Sequence, residues 1–360
     1  MTEMIDYSKI ELIEGDSYKV LAKMIQEGRK VASCVTDAPY GLTSIVERFG
    51  KNDAKAAKFG KDGAFARTSA AFMGQTWDAN GVEVDPGFWT LVYDVLLPGG
   101  FVVAFSSPRT YHRMATAIEA AGFITHPMIG WAYASGLPKG HHPHVEGFEG
   151  HRHGAQARKP ALEPIYVGQK PYSEKTCKAN LLKHGVGPVD IDGCRTESGG
   201  YPSNLITDGN VFPPRIGQFF ERYVCERCQD QGFVAGGDPG SGFWQEGCPV
   251  CDGLGGWNPF DGEPLIFNKK ADKNDRAGSS HATVKPIALM QSLVRHVTPP
   301  GMTVLDPFAG SGTTGIAAAR EGRPAILIEA EPAYAMDIRS RLLRPTDAGE
   351  SYLRALGMVE

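Results

Sequence analysis

Residues 303–315, "TVLDPFAGSGTTG", put an apolar run, a carboxylate and three glycines ahead of a helix-forming stretch. Gly310, Gly312 and Gly315 let the backbone turn tightly between a strand and the helix that begins near Thr313. A strand, a glycine turn and a helix cannot bury their apolar faces alone. They need neighbouring strands and further helices, so this stretch commits the chain to an α/β sheet.

The remainder of the chain supplies those partners. "KIELIEGD" reads as a strand, followed by a helix capped by Ser17 with Val20, Leu21, Met24 and Ile25 on one face. "VASCVTD" reads as a strand buried on both faces. "PGFWTLVYDVLL" predicts a helix stopped by "PGG", "FVVAF" a strand, "TYHRMATAIEAAG" a helix and "MIGWAY" a strand. The rhythm lapses near residue 136 and resumes with helix "PIALMQSLVRHV", strand "MTVLD", the glycine turn, helix "TTGIAAAREG" and strand "PAILIEAE". Strands alternating with helices predict a parallel sheet. The expected organisation is one α/β domain from residues 1–136 and 262–345, an inserted region at 137–261, and a tail at 346–360. "EPIYVGQ" is the one strand expected in the insertion, and residues 42–76 are expected to be a loop.

The turn is also a ready site for an adenosine-containing cofactor, because a helix N-terminus offers free N–H groups and Glu329 ends the next strand where ribose hydroxyls could donate to it. Asp306 argues against a nicotinamide dinucleotide. A carboxylate there would repel a pyrophosphate but favour the cationic sulfonium of S-adenosylmethionine.

"DPFAGSGTT" resembles the cofactor motif of DNA amino-methyltransferases, and "HATVKPIALMQSLVRHVTPP" just ahead of it resembles their preceding motif, with Ala282 and Val284 as departures. "TDAPYG", at 36–41, resembles their D-P-P-Y motif with Ala38 in place of one proline. Catalytic motif first and cofactor motif last is the order of the β class of these enzymes, of restriction–modification or phage type. The resemblance implies a Rossmann-like S-adenosylmethionine-dependent methyltransferase sheet carrying an inserted recognition region. It implies cofactor contacts from Asp306, Phe308, Gly310, Ser311, Gly312 and Thr313, and methionine-end contacts from Thr283 and Lys285. It places Asp16 near the cofactor's adenine, with a helix cap as the alternative.

The implied chemistry has a physical logic. An exocyclic amine on adenine or cytosine is a weak nucleophile because its lone pair is delocalised into the ring. The Asp37 carboxylate and the Pro39 carbonyl could each accept one of its N–H groups and favour a pyramidal nitrogen aimed at the methyl donor. Tyr40 could stack on the base after it leaves the duplex. A leading Asp in this family favours adenine N6; cytosine N4 stays open. Ser106, Ser107 and Arg109 could line the base pocket. Two other classes stay open: a nicotinamide-dependent oxidoreductase, and a DNA-binding protein that has lost catalysis.

Seven cysteines, an odd number, include Cys225-x-x-Cys228 and Cys248-x-x-Cys251, a spacing suited to one structural Zn2+ in a knuckle spanning 225–251. With no leader-like start, this usage points to a reducing cytoplasm, and no apolar run is long enough for a membrane span. The net charge is −4, yet residues 47–67 carry a local excess of +3 and residues 139–184 of +4. Local positive charge suits double-stranded DNA as partner, held by phosphate contacts. The oligomeric state stays open, a homodimer included.

Overall fold

The computed structural model describes residues 6–40, 81–133, 139–156, 158, 160–195, 200–207, 221–222, 233–236, 244–247, 273–276, 279 and 284–343. The expected loop at 42–76, the knuckle cysteines Cys225, Cys228, Cys248 and Cys251, Thr283, and the tail at 346–360 lie outside these residues.

One ten-stranded sheet organises the molecule. Its parallel half is built from β1 (Ile10–Glu14), β2 (Val31–Thr36), β3 (Leu96–Phe105), β13 (Val304–Asp306) and β14 (Ala325–Glu329), in the order β1-β14-β13-β2-β3. Beyond β3 follow β8 (Leu162–Gln169), β5 (Ile129–Ala132), β9 (Leu205–Thr207) and β10 (Glu221–Arg222), and β4 (Ile124–Thr125) also pairs with β8. Two small hairpins stand apart: β6 (Lys139–His141) with β7 (His153–Gln156), and β11 (Phe233–Gly236) with β12 (Trp244–Gly247).

The sheet is mixed, which corrects the expectation of a parallel one. β8 runs antiparallel to both β3 and β5, pairing Phe105 with Ile165 and Ile129 with Ile165. It comes from the stretch expected to be inserted, as do β9 and β10, so that stretch supplies part of the main sheet. An apolar strand composition announces burial and carries no direction.

Side-chain alternation makes three layers. In β3, Phe101, Val103 and Phe105 face helices α5 (Ile287–Val297), α6 (Thr313–Arg320) and α7 (Pro332–Leu343), meeting Leu289, Leu293, Val294, Ala317 and Ile338. Val102 and Ala104 face α1 (Ser17–Gln26), α2 (Pro86–Val95) and α3 (Tyr111–Ala120), meeting Leu21, Met24, Phe88, Trp89 and Met114. Two local expectations change. Asp16, not Ser17, caps α1, accepting from the Lys19 amide at 3.1 Å, while the Ser17 hydroxyl donates to the Pro307 carbonyl. α2 ends at Val95 rather than at Leu97, because Leu97 precedes Pro98 and Leu96 is already extended.

Helix α4 (Cys177–His184) packs at the amino end of β3, where Asn180 donates to the Pro98 carbonyl at 2.8 Å. No described helix is long and apolar enough to cross a membrane.

Candidate active site

The carboxyl ends of the parallel strands line one edge of the sheet, the edge where open α/β sheets place their ligands. Along it lie Glu14 at the end of β1, Glu329 at the end of β14, Asp306 at the end of β13, and Asp37 just past β2. The two motifs that are distant in sequence are therefore neighbours in space. β2 pairs directly with β13, matching Ser33 to Val304 and Cys34 to Leu305.

On the glycine-turn side, the polar groups are mostly bonded to one another. Asp306 is buried, and its carboxylate accepts from the hydroxyl of Thr36 at 2.7 Å, the amide of Phe308 at 3.1 Å and the hydroxyl of Thr314 at 2.5 Å. Burial pushes its pKa up to about 6, against the lowering effect of those three donors. Ser311 and Thr313 turn inward: their hydroxyls pair at 2.9 Å, and Arg341 of α7 binds the Ser311 carbonyl. Phe308 stacks on Phe88 with ring centroids 5.0 Å apart. Gly312 has φ +76° and a Cβ there would lie 2.9 Å from Ile338; a Cβ on Gly315 would lie 2.6 Å from Leu327. These two glycines thus serve close packing of α6 on α7 and the sheet.

Glu329 accepts from the amides of Gly310 at 2.7 Å and Glu331 at 2.8 Å, and burial raises it to about 7. Each carboxylate oxygen accepting one N–H retains a second lone pair, so Glu329 can still accept from a ribose hydroxyl. Asp16 is exposed at the same edge, beside Glu329, whose carbonyl accepts from Gly15 at 2.8 Å.

The β2 side is built differently. Asp37, Pro39 and Tyr40 follow the strand, and Thr110 anchors their far end by donating to the Tyr40 carbonyl at 2.8 Å. Lys285, just ahead of α5, inserts its ammonium among them. It donates to Asp37 Oδ2 at 2.6 Å and to the Tyr40 hydroxyl at 3.0 Å, and stands 3.4 Å from Glu163 Oε2. The Tyr40 hydroxyl in turn donates to Glu163 Oε2 at 2.8 Å. The same ammonium sits 4.9 Å from the Phe105 ring centroid.

Burial raises the Asp37 carboxyl, Lys285 lowers it and the Glu163 charge raises it further, leaving a net upward shift. For Lys285, burial pulls downward, but Asp37 and Glu163 outweigh it and hold the ammonium above its ordinary value. Tyr40 is pushed well up by burial and by the same two carboxylates. Among the described residues, three buried polar atoms at this end have no hydrogen-bond partner: Asp37 Oδ1, Ser106 Oγ and Trp131 Nε1. The first is a carboxylate acceptor left unpaired.

Glu163 was not anticipated. It reaches the edge because β8 is antiparallel, so that its first residues, rather than its last, meet the carboxyl end of β3. The only sequence signal was a charge opening an otherwise apolar strand, "LEPIYVGQ". Thr36, Thr110, Thr314 and Arg341 were also unannounced, since nothing local marks a hydroxyl or guanidinium that bonds across elements. Among the described residues, Lys170, Lys178 and Lys183 lie away from this site. Lys170 donates to the carbonyls of Tyr93 and Leu96 at 2.7 and 2.9 Å, and α4, with Lys178 and Lys183, sits by Pro98, about 23 Å along β3 from Phe105. The basic stretch at 47–67 lies outside the described residues.

The chain is similar to several known proteins. A 70-residue segment is 43% identical to the type II methyltransferase M2.DpnII of Streptococcus pneumoniae, a match covering 19% of this chain and 26% of that protein. The chain thus spans about a quarter of the length of this curated relative. Among solved structures, M1.HpyAVI in complex with SAM is 17% identical, with TM-score 0.46 over 93% of this chain and 100% of that one. PvuII DNA methyltransferase (cytosine-N4-specific) is also 17% identical, with TM-score 0.45 over 96% of this chain and 90% of that one. The DNA methylase family of N6 and N4 methyltransferases matches residues 31–340, most of the chain and both motif regions, and the protein belongs to that family.

Proposed function

We propose that this protein is an S-adenosylmethionine-dependent DNA methyltransferase that modifies the exocyclic N6 amine of adenine after the base leaves the duplex. The observation that carries the reading is Asp37 Oδ1, a buried acceptor with no partner, set one strand away from the glycine turn. An unpaired buried acceptor is costly, and an amine N–H of the target base would satisfy it.

The donor set suits the cofactor's chemistry. Glu329 would accept from ribose hydroxyls, the Gly310–Gly312 turn and Phe308 would border the adenosine, and Asp16 would stand near the adenine. Ser311 and Thr313 would act by holding the turn through Arg341, and Asp306 by fixing the turn to Thr36 and Thr314. Thr283 and Lys285 remain the candidates for the methionine end, although Lys285 is engaged with Asp37 in the structure. When bound, S-adenosylmethionine supplies an electrophilic methyl group on a sulfonium.

Around the target, Lys285 binds one Asp37 oxygen, and the other is left without a partner. That oxygen and the Pro39 carbonyl would take the two amine hydrogens and localise the nitrogen lone pair. Tyr40, tied through its hydroxyl to Glu163 and through its carbonyl to Thr110, would offer a fixed ring for stacking. Orientation of this kind supplies a large share of an enzymatic acceleration.

The test is direct. The protein is incubated with plasmid DNA and cofactor carrying a labelled methyl group, and the DNA is digested to nucleosides. Label in N6-methyladenosine supports the proposal, label in N4-methylcytidine transfers it to cytosine, and no label in DNA overturns it.

We also propose one structural Zn2+ on Cys225, Cys228, Cys248 and Cys251. β11 pairs with β12, Phe233 to Gly247, and in the sequence one cysteine pair precedes this hairpin and the other follows it. Metal analysis of the purified protein finding one zinc per chain, lost in Cys248→Ser, would support this; finding none would remove it.

A further inference from the structure

We propose that Glu163 is a positioning residue for methyl transfer: its carboxylate engages the Tyr40 hydroxyl and Lys285 so that Asp37 Oδ1 stays open to the target amine. The inference rests on the methyltransferase reading and assigns a role to a residue that reading left without one.

A count of donors leads to it. An ammonium has three N–H groups and no acceptor. Lys285 meets three oxygens, Asp37 Oδ2 at 2.6 Å, the Tyr40 hydroxyl at 3.0 Å and Glu163 Oε2 at 3.4 Å. The Tyr40 hydroxyl has one proton, and it goes to Glu163 at 2.8 Å. The Lys285 ammonium and the Tyr40 hydroxyl thus have acceptors other than Asp37 Oδ1, which is left without a partner. With Glu163 removed, one ammonium proton and the tyrosine proton lose their acceptor. Asp37 is the carboxylate that remains beside both, and a turn of its Oδ1 toward either proton would close the pocket on itself.

Charge points the same way. Two carboxylates surround one ammonium, so the cluster as charged holds one negative charge in excess at a largely buried site. A buried excess charge favours a bound cation, and the reaction brings one, carried first by the methyl donor and then by the methylated nitrogen. The charged or titratable groups facing Asp37 are Lys285, Glu163, Tyr40 and Asp306, with Tyr133 of the neighbouring strand end raised by burial and by Glu163.

The experiment compares Glu163→Ala and Glu163→Gln with the wild-type protein on plasmid DNA. The alanine variant is expected to lose about tenfold or more in kcat with KM for the cofactor within about threefold. The glutamine variant, which keeps an acceptor, should recover part of the loss. In both, the acid limb of kcat should move to lower pH, because the Glu163 charge is one cause of the raised Asp37 carboxyl. A second readout needs no catalysis: acylation of Lys285, followed by mass spectrometry, should run severalfold faster in both variants, since Glu163 helps keep that amine protonated. An unchanged kcat, or a loss with the acid limb and Lys285 reactivity unmoved, overturns the proposal. If the alanine variant fails to fold, the glutamine variant decides. A wild-type protein that methylates no DNA would instead defeat the parent reading, and the Lys285 measurement would still judge this one.

Discussion

The two halves of the sheet edge solve opposite problems. Around β13 and β14 the polar groups are bonded within the protein: Asp306 to Thr36, Phe308 and Thr314, Ser311 to Thr313, and Glu329 to Gly310 and Glu331. Around β2 and β8 the protein leaves an acceptor unpaired on Asp37 and a surplus carboxylate at Glu163. The first half is shaped before any ligand arrives, so its residues should govern folding stability. The second is incomplete without one, so its residues should govern turnover.

The sharpest test of that division is Asp37→Ala. It should reduce methyl transfer by about a thousandfold or more, with cofactor affinity within about threefold and little change in melting, since Lys285 keeps Glu163 as its counter-charge. A melting loss as large as that of a glycine-turn variant would break the comparison.

Next comes Glu329, whose folded pKa of about 7 lies above its ordinary 4.5. A carboxyl raised by folding binds its proton more tightly in the native state, so its contribution is full below about 4.5 and is lost as pH rises through about 7. The difference corresponds to on the order of 3 kcal/mol at most. Thermal melting from pH 4.5 to 7 should therefore fall less steeply in Glu329→Gln than in the wild type.

Gly312→Ala should cost about 1–2 kcal/mol by denaturant titration, from the left-handed backbone and the 2.9 Å approach to Ile338. Thr314→Val, which strips one donor from Asp306, should cost about 1 kcal/mol and raise that carboxyl further. Full kcat in a folded Thr314→Val would confirm that this half acts through stability.

The same division marks what could be read from the residues alone. The strands at 10–14, 31–36, 304–306 and 325–329, and the helices between them, were legible because buried apolar runs and amphipathic stripes are local patterns. The motifs legibly met at one edge, because parallel strands carry their carboxyl ends to the same side. The direction of β8 was not legible, since it depends on which neighbours the strand finds, and with it Glu163 was missed. Nor could the motif show that Ser311 and Thr313 face Arg341 rather than outward, because a polar residue in a turn has the same letter either way.

Thr36 and Asp306 are 270 positions apart yet joined by a hydrogen bond of 2.7 Å across adjacent strands. Their spacing follows from the ladder between β2 and β13. Gene order is consequently free to vary: a circularly permuted chain that opens elsewhere but seats the same two strands side by side would assemble the same working edge.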